Sequence, residues 1–419
     1  MNPRPRFRLR TAIAFAGAVL VIGAVPASTA AMTGGATHSG AAKATTITLA
    51  HWSSSPVELK GIRATITAFE KRNPSIKVNE INLDPYPEGM LARFAARKPP
   101  DIFYVDSNVF PDWVSQGVLE PLNARMAAAH MSQKPFYARL LGAFRYKGKL
   151  YGLPKDWSPL AMEVNTKALA AAGVTPPKTW AGLTAAARKL KAAGQPPVCL
   201  DIDLARMLAF MYQNGGGFLN ASHTKAIVNS SKNLTAVTTY INWIQSGLAR
   251  THAQLGMGWC GEALGKEKAS IIFEGNWVTS YMNDTFPGVS WKTYPMVGSK
   301  AGNKYRGNLG FTASYSIAKD SKNKAAAFKM LQFLDGPAGQ KVWIANVGYL
   351  PARKDVKPPA GRAVYLKEAP FTHPWQFAPG FSKVTDTANN ELQAAFEGKE
   401  TADAALRNIQ AAANAALGH

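Results

Sequence analysis

Apolar and polar residues alternate with two different periods in the segment that begins near residue 46. Residues 46–51 alternate them one by one, which is the period of a strand with one buried face. The segment 55–58 (Ser-Pro-Val-Glu) then combines a helix capping box with proline at the first helical position. The apolar residues that follow are spaced by 3, 4 and 3 positions, as on one face of a helix: Leu59, Ile62, Ile66 and Phe69. Asn73 and Pro74 end this helix before a second strand at 76–79, so the segment predicts a β-α-β unit.

Strands and helices are predicted to keep alternating along the rest of the chain. A helix is expected over 86–97, and residues 101–106 form a strand whose apolar centre suits burial on both faces. The pattern restarts with a strand at 161–165 and a helix capped by Thr179. We see no repeat of ~20–50 residues, which argues against solenoids and propellers. The chain therefore predicts an α/β fold with two lobes, each a mainly parallel sheet flanked by helices.

The first thirty residues have the composition of a targeting segment. Four arginines precede an apolar run over 12–25, and the small residues that signal peptidases accept follow. We predict a secretory signal peptide over 1–30 and a flexible leader over 31–45. An uncleaved membrane anchor is the alternative, but a run of ~14 residues at ~1.5 Å each is shorter than a ~30 Å hydrocarbon core. The only cysteines are Cys199 and Cys260, so we expect no lipid anchor at the cleavage site.

The chain is strongly basic. It has 48 lysines and arginines, 26 acids and a net charge of +22, and removal of the four arginines in residues 1–30 leaves +18. Nucleic-acid binding is one explanation. The basic residues are scattered, so we favour a diffuse solvated surface and expect no nucleic-acid partner. Beyond the N-terminus no apolar run approaches the ~18 residues that cross a bilayer, which predicts a globular body.

Six short motifs follow one another along the chain: 47–52, 100–102 (Pro-Asp-Ile), 148–154 (Gly-Lys-Leu-Tyr-Gly-Leu-Pro), 173–180 (Gly-Val-Thr-Pro-Pro-Lys-Thr-Trp), 273–277 (Phe-Glu-Gly-Asn-Trp) and 348–353 (Gly-Tyr-Leu-Pro-Ala-Arg). In this order and at these separations, the chain resembles the extracellular solute-binding proteins of ABC importers, specifically the family that includes the maltose-binding proteins. The resemblance covers nearly the whole mature chain. It indicates the scaffold more strongly than the ligand.

The resemblance implies two lobes that close around a solute and are joined by three chain crossings. The crossings are expected near 157–161, 299–308 and 348–352. The expected division places 46–157 and 305–350 in the N-lobe, and 158–304 and 351–419 in the C-lobe. Composition alone does not show this division, because the chain has no Pro/Ser-rich linker.

A sugar presents apolar C–H faces and a rim of hydroxyls, so its site needs flat aromatic rings beside carboxylates or amides. Several tryptophans fall near strand ends or in Gly/Pro-rich loops: Trp52, Trp113, Trp157, Trp259, Trp277 and Trp375. Three others fit a core: Trp180, Trp243 and Trp343. We favour ligand contact for Trp277, because the family places a stacking aromatic there. For Trp52 and Trp375 a core position is an equal alternative.

Polar residues that follow a strand end or lie at the first expected crossing are also candidates for ligand contact. Asp106, Ser107 and Asn108 follow the carboxyl end of a strand, the usual ligand edge of an α/β sheet. Asp156 lies where the resemblance places a ligand-binding acid, and its replacement is expected to weaken binding with little effect on the stability of the free protein. Maltose binders carry Asp-Arg where this chain has Ser107-Asn108, so maltose is doubtful as the ligand. The predicted ligand-binding set is Trp52, Asp106, Ser107, Asn108, Asp156, Trp157, Trp277, Asn308 and Trp375.

The chain has no catalytic motif of the common kinds, such as G-x-S-x-G, H-E-x-x-H or a P-loop, and its seven histidines are isolated. Asp156 and Glu274 are conceivable as the carboxylate pair of a glycoside hydrolase, but nothing in their spacing demands it. We expect binding without catalysis, and no metal or cofactor.

The sequence therefore predicts a monomeric substrate-binding subunit of an ABC importer, in the periplasm or at the outer face of the cell membrane. It would bind a mono- or oligosaccharide and deliver it to a membrane permease. A polyol phosphate or acidic sugar is the alternative within the family, because a +18 surface attracts anions. A carbohydrate-active enzyme and a nucleic-acid-binding protein are the alternatives from other classes. Cys199 and Cys260 are predicted to form a disulfide in an oxidising compartment, with two free thiols as the alternative.

Overall fold

A computed structural model describes residues 44–220 and 222–419. The predicted signal peptide and nearly all of the predicted leader lie outside the described residues. The first part of the chain forms these helices and strands: β1 (Thr45–His51), α1 (Pro56–Arg72), β2 (Ile76–Asn82), α2 (Tyr86–Ala95), β3 (Ile102–Asp106), α3 (Phe110–Ser115), α4 (Asn123–Ala128), α5 (Ala138–Gly142), β4 (Arg145–Tyr146), β5 (Lys149–Leu150) and β6 (Gly152–Asn165).

The second part continues the alternation: α6 (Thr166–Ala171), α7 (Trp180–Ala192), β7 (Val198–Cys199), α8 (Leu204–Gln213), α9 (Ser231–Gln245), β8 (Ala249–Arg250), α10 (Cys260–Gly265), β9 (Ile271–Gly275), α11 (Trp277–Thr285), β10 (Trp291–Tyr294), β11 (Asn308–Ile317), α12 (Lys324–Leu334), α13 (Pro337–Val347), β12 (Leu350–Pro351), α14 (Ala363–Glu368), β13 (Thr372–Pro374), α15 (Phe381–Phe396) and α16 (Ala402–Ala416). None of the helices in the described residues is both long and apolar enough to cross a bilayer.

The predicted capping signal begins helix α1. The Ser55 hydroxyl accepts a hydrogen bond from the backbone N–H of Glu58 at 3.2 Å. The Glu58 carboxylate reaches back to the N–H of Ser54 at 2.7 Å, one residue before the position in the usual capping box. The helix buries the predicted apolar face, including Ile62 and Phe69. Helix α1 therefore has a fixed start, and that start holds Glu58 beside the end of β1.

A mixed sheet of eleven strands runs through the molecule, with the main order β2-β1-β3-β11-β6-β9-β7-β8. At one end β1 is parallel to β2 and β3, and at the other β7 is parallel to β8 and β9. The long strands β6 and β11 are antiparallel to each other and to β9 and β3, respectively. Strand β6 is fourteen residues long and buried throughout. It pairs with β11 up to Pro159 and with β9 from Leu160 onward, so one strand joins both ends of the sheet.

Two large hydrophobic cores lie at opposite ends of this sheet. One is drawn from residues 47–153 and 315–356, and we call this part the N-lobe. The other is drawn from 160–309 and 375–413, and we call it the C-lobe. The exact lobe boundaries given above stay a prediction. A small cluster between the cores joins Trp157 of β6 to Leu350 of β12 and Tyr365 of α14.

The burial of the tryptophans does not simply follow from their positions relative to the predicted strands. Trp180, Trp243 and Trp343 are buried, which confirms that they belong to the cores. Trp113 is also buried, although it follows a strand end. It lies on α3 and packs against Phe103 and Phe94, with ring centroids 6.0 and 5.2 Å away. The short helix turns this ring back onto the sheet, so a place after a strand does not by itself expose a residue to the cleft.

Candidate functional site

A cavity of about 390 Å³ lies between the two lobes. The N-lobe lines it with residues from the loop after β1, the start of α1 and the end of β3. The C-lobe lines it with residues from α8, from α11 and from the positions just before α10 and α11. Strands β6 and β11 pass between these walls. Its aromatic lining consists of Trp52, Trp157, Trp259, Trp277, Tyr281, Phe311 and Tyr349. Its charged lining consists of Glu58, Asp106, Lys155, Asp156 and Arg206. A concave, mainly aromatic space with a few polar groups is the usual form of a ligand site.

Five of the nine residues expected from the sequence line this cavity: Trp52, Asp106, Asp156, Trp157 and Trp277. They come from the loop after β1, the end of β3, β6 and the start of α11. Strand β6 carries its two residues into the middle of the cavity, and the ends of the other elements bring the rest toward it. Trp52, Asp106 and Trp277 lie at or just beyond strand ends, whereas Asp156 and Trp157 lie within β6.

The other four lie outside the cavity lining. Ser107 is buried and donates its hydroxyl to the backbone oxygen of Trp375 at 2.8 Å. Asn108 gives its backbone N–H to Asp106 at 3.2 Å. Asn308 is buried and pairs with both backbone polar groups of Leu160. Trp375 packs in the C-lobe core, 5.0 Å from Phe377 between ring centroids. The side chains of Ser107, Asn308 and Trp375 are thus engaged by the scaffold, and none of the four residues is part of the cavity lining.

Trp277 is held by contacts within the C-lobe. It begins α11 directly after β9, and its indole Nε1 donates to Glu274 at 3.1 Å. The same carboxylate oxygen accepts from Arg206 at 2.8 Å. The indole also meets Phe311 edge to face, with centroids 5.5 Å apart. Burial raises the pKa of Glu274, and the adjacent Arg206 opposes that rise. The network fixes the plane of the indole, so its stacking face is preorganised.

Asp156 is tied to the N-lobe. Its Oδ2 accepts from Lys155 Nζ at 2.6 Å and from the indole Nε1 of Trp343 at 2.9 Å. The Lys155 ammonium lies 4.5 Å from the centroid of Trp343 and 4.8 Å from that of Tyr104. It is also 3.7 Å from Glu58. The ammonium is thus neutralised by two carboxylates and packed against aromatic faces. Of the two oxygens of Asp156, Oδ2 is already engaged.

Asp106 has a different environment. Its Oδ1 accepts the N–H of Asn108 at 3.2 Å, and the Ser107 hydroxyl, which donates to Trp375, lies 3.5 Å from the same oxygen. Among the described residues, no lysine, arginine or histidine forms an ion pair with it. Burial raises the pKa of Asp106 to about 6, although Asn108 and the more distant Lys155 oppose the rise. This carboxylate is therefore the charged group of the cavity with the most unused acceptor capacity.

Sequence reasoning missed several lining residues. Glu58 was interpreted only as part of a capping box, and Lys155 had no signal beyond its place next to Asp156. Tyr281 lies one helical turn after Trp277 on α11, a spacing from which it could have been found. Asn276 lies within the 273–277 motif. No local sequence pattern indicated Arg206, because its partner Glu274 is 68 positions away.

Three buried lining groups have no hydrogen-bond partner within the described residues: the indole N–H of Trp157, the Nε–H of Arg206 and the side-chain oxygen of Asn276. Trp157 is 8% exposed and Asn276 is fully buried. A buried polar group without a partner costs free energy, so a ligand that bonds these groups would gain affinity. The cavity therefore offers two unpartnered donors and one unpartnered acceptor in addition to its carboxylates.

Cys199 and Cys260 are joined by a disulfide. Cys260 begins α10 and directly follows Trp259, which lines the cavity. The bridge belongs to a small core cluster that also contains Val278 and Met282 of α11. The disulfide therefore braces the C-lobe elements that carry Trp259 and Trp277.

The chain is similar to known proteins over most of its length. The family model for the bacterial extracellular solute-binding proteins matches residues 52–341. A protein of Brucella abortus strain 2308, named as a binding protein, is 26% identical over 367 residues, which cover 84% of this chain and 88% of that protein.

Solved structures share the fold along its length. An ABC substrate-binding protein from Listeria monocytogenes in complex with cycloalternan matches with a TM-score of 0.81 and 25% identity, over 90% of this chain and 99% of that one. The GacH receptor of Streptomyces glaucescens, solved unliganded and with acarbose and an acarbose homolog, matches with a TM-score of 0.79 and 21% identity, over 89% and 99%. These likenesses confirm the predicted two-lobed α/β fold.

Proposed function

The chain belongs to the family of bacterial extracellular solute-binding proteins, and from this premise we propose that it is the substrate-binding subunit of an ABC importer for a carbohydrate. The observation that carries the proposal is the cavity between the lobes, which combines seven aromatic rings with carboxylates. Aromatic faces match the C–H faces of a sugar, and carboxylates accept hydrogen bonds from its hydroxyls. The Listeria neighbour, whose ligand is a carbohydrate, supports the same ligand class.

Each lobe has its own part in this proposal. From the C-lobe, Trp277 offers a stacking face whose orientation is set by Glu274. From the N-lobe, Asp106 offers carboxylate lone pairs. Trp157 and Arg206 each supply an unpartnered N–H donor, and Asn276 supplies an unpartnered acceptor. A ligand that contacts both walls stabilises the closed arrangement of the lobes, which is how binding is converted into a shape that a permease recognises.

The charges of the cavity argue against an anionic ligand. Both lining cations are engaged by carboxylates: Lys155 by Asp156 at 2.6 Å, and Arg206 by Glu274 at 2.8 Å. A phosphate or carboxylate would have to displace these partners and would leave a buried acid unpaired. The positive surface can attract anions from a distance, but binding is decided in the cavity, where local charges are less screened.

A thermal-shift screen tests the proposal. Monosaccharides, disaccharides and longer oligosaccharides are compared with polyol phosphates and peptides. A ligand at about 100 times its dissociation constant should stabilise the fold by roughly 2.7 kcal/mol. We expect stabilisation by at least one saccharide and none by the phosphates. Stabilisation by peptides or polyol phosphates alone would overturn the carbohydrate assignment.

The enzyme alternative has its own test. Glu274 is held by Arg206 and Trp277, and Asp156 by Lys155 and Trp343, so both conceivable catalytic carboxylates already have partners. A binding protein returns its ligand unchanged. We expect no products after prolonged incubation with the saccharide that binds best, and product formation lost in Glu274→Gln would instead establish a hydrolase.

The proposal also covers the export of the protein, its membrane partner and its oligomeric state. We propose that residues 1–30 direct export and are removed, and that the mature monomer docks on the transmembrane subunits of an ABC permease. Cell fractionation with mass analysis of the N-terminus tests the first point. Analytical ultracentrifugation and sugar-dependent copurification with the permease subunits test the second.

A further inference from the structure

The carboxylates of the cavity outnumber the cations that could neutralise them. Glu58 and Asp156 share the single ammonium of Lys155, at 3.7 and 2.6 Å. Arg206 is held by Glu274 at 2.8 Å and by Asp203 at 3.7 Å. With every lining cation already paired, the lining as a whole carries an excess of negative charge.

Asp106 has no such partner. Its hydrogen bond from the Asn108 N–H and its 3.5 Å contact with the Ser107 hydroxyl involve the same oxygen, Oδ1. The described residues contain no basic nitrogen within ion-pairing distance of its carboxylate. An ionised carboxylate without a counter-ion is costly at the edge of a buried space, and a cationic ligand would remove that cost.

Two further features of the lining are compatible with a cationic group at this place. The walls are made of aromatic rings, whose faces attract positive charge as well as C–H groups. The buried side-chain oxygen of Asn276 has no donor within the described residues, and it accepts from an ammonium as readily as from a hydroxyl. An ammonium carries three donors, which match the carboxylate and amide oxygens of the lining, whereas the unpartnered N–H groups of Trp157 and Arg206 match oxygens of the ligand.

We propose that the ligand is an amino sugar, a saccharide or related polyol with at least one protonated amine, and that Asp106 is the residue that binds this amine. The inference rests on the proposed carbohydrate function and narrows it. The aromatic rings would bind the sugar faces, and Asp106 would form a charge-assisted hydrogen bond with the ammonium. Asp106 would thus be the residue that discriminates amino sugars from neutral sugars of the same size.

Calorimetry with matched sugars tests the proposal. Glucose, glucosamine and N-acetylglucosamine differ only at C2, and the β-1,4-linked dimers cellobiose, chitobiose and N,N′-diacetylchitobiose repeat the comparison with two rings. We expect the free amine to bind about tenfold more tightly than the hydroxyl or the acetamide in at least one series, as is typical of one added charge-assisted hydrogen bond. Asp106→Asn, which keeps the shape and an acceptor for Asn108, should remove this preference. The control Asp386→Asn changes the net charge equally on the exposed surface of α15 and should leave it intact.

The possible outcomes distinguish the amino-sugar proposal from the broader carbohydrate function. If neutral sugars bind and their amines bind no more tightly, the amino-sugar proposal is wrong while the carbohydrate function stands. If the amine is preferred but Asp106→Asn retains the preference, Asp106 is not the residue that binds it. If none of these sugars binds and the wider saccharide screen also fails, the proposed function and this inference fall together.

Discussion

Asp112 of the N-lobe caps a helix of the C-lobe that begins beside Ser382. One carboxylate oxygen of Asp112 accepts the backbone N–H of Ser382 at 3.2 Å, and the carboxylate also bonds the Ser382 hydroxyl and the backbone N–H of Gly380. Gly380 is the N-cap of α15 and has no side chain with which to cap it. The negative charge also lies at the positive end of the helix dipole. The first turn of α15 therefore depends on a residue 270 positions away, in the other lobe.

Asp112→Ala should lower the free energy of unfolding by about 1 to 2 kcal/mol, the usual cost of losing a helix N-cap. It should also weaken saccharide binding, because a contact that joins the lobes is lost without any change in the cavity lining. Chemical denaturation of the free protein and calorimetry with the best saccharide measure the two effects. Ser382→Ala is the matched control, because it removes one donor but keeps the backbone N–H. Equal losses in both variants would contradict the capping role.

Trp277→Ala should weaken saccharide binding by roughly 1 to 3 kcal/mol, because it removes the stacking face. Its effect on the free protein should be smaller than that of Trp343→Ala, which empties a fully packed position and should cost about 3 to 5 kcal/mol of stability. Trp277→Phe should retain part of the affinity, since it keeps a ring but loses the N–H that bonds Glu274. Calorimetry beside thermal melts of all three variants gives the comparison. A stability loss in Trp277→Ala equal to that in Trp343→Ala would place Trp277 in the core.

Asp156→Ala should destabilise the free protein by roughly 3 kcal/mol, in contrast to the small effect expected from the sequence. The substitution leaves the Lys155 ammonium, whose side chain is 3% exposed, with Glu58 alone, and leaves the Trp343 indole N–H without its acceptor. Asp156→Asn keeps an acceptor for Trp343 and should cost less. Urea unfolding of both variants measures the difference. Unchanged midpoints in both would mean that the ion pair contributes nothing to the fold.

The sequence predicted the parts of the structure that depend on local signals. The capping box of α1, the buried strand β3 and the aromatic residue after β9 are all visible in runs of a few residues. Contacts made across the fold left no such signal: Trp343 is 187 positions from Asp156, and Arg206 is 68 from Glu274. Because contacts across the fold leave no local signal, Ser107 and Asn308 were predicted as ligand residues. Their type and place suit a ligand, but only the fold shows that backbone groups of Trp375 and Leu160 already occupy their hydrogen bonds.

The disulfide gives a prediction about stability in the C-lobe. Cys199 and Cys260 are 61 positions apart, and closing a loop of that length should stabilise the fold by about 4 kcal/mol in the chain-entropy model. The double variant Cys199→Ala, Cys260→Ala should lose about this amount. It should also bind saccharide less well, because Cys260 adjoins Trp259. Titration of the wild-type protein in non-reducing denaturant should find no reactive thiol, and two thiols per chain would refute the bridge.

Asp106 gives a pH dependence whose sign can be worked out. The pKa of Asp106 is raised from 3.8 to about 6 by burial. Between these values the folded protein binds a proton at this position that the unfolded chain has released, so the contribution of Asp106 to stability falls as the pH rises through this range. Above about pH 6 the buried carboxylate is ionised and costs stability. Asp106→Asn should therefore be more stable than the wild type at pH 7.5 by roughly 1 to 3 kcal/mol, and this advantage should shrink toward pH 4.

Binding should depend on pH in the opposite direction. A ligand that donates to the Asp106 carboxylate loses its acceptor when the group is protonated, so the affinity of the wild type should fall as the pH drops through about 6. Glu58 and Glu274 also have pKa values raised by burial, and Lys155 and Asp156 lie close enough to Asp106 to influence it, so the wild-type profile alone does not identify the group. The difference from Asp106→Asn does, because these neighbours are present in both proteins. Calorimetry at pH 7.5 and pH 5 should show a loss of affinity in the wild type and a much smaller loss in Asp106→Asn. Parallel losses in both proteins would assign the pH dependence to another residue of the cavity.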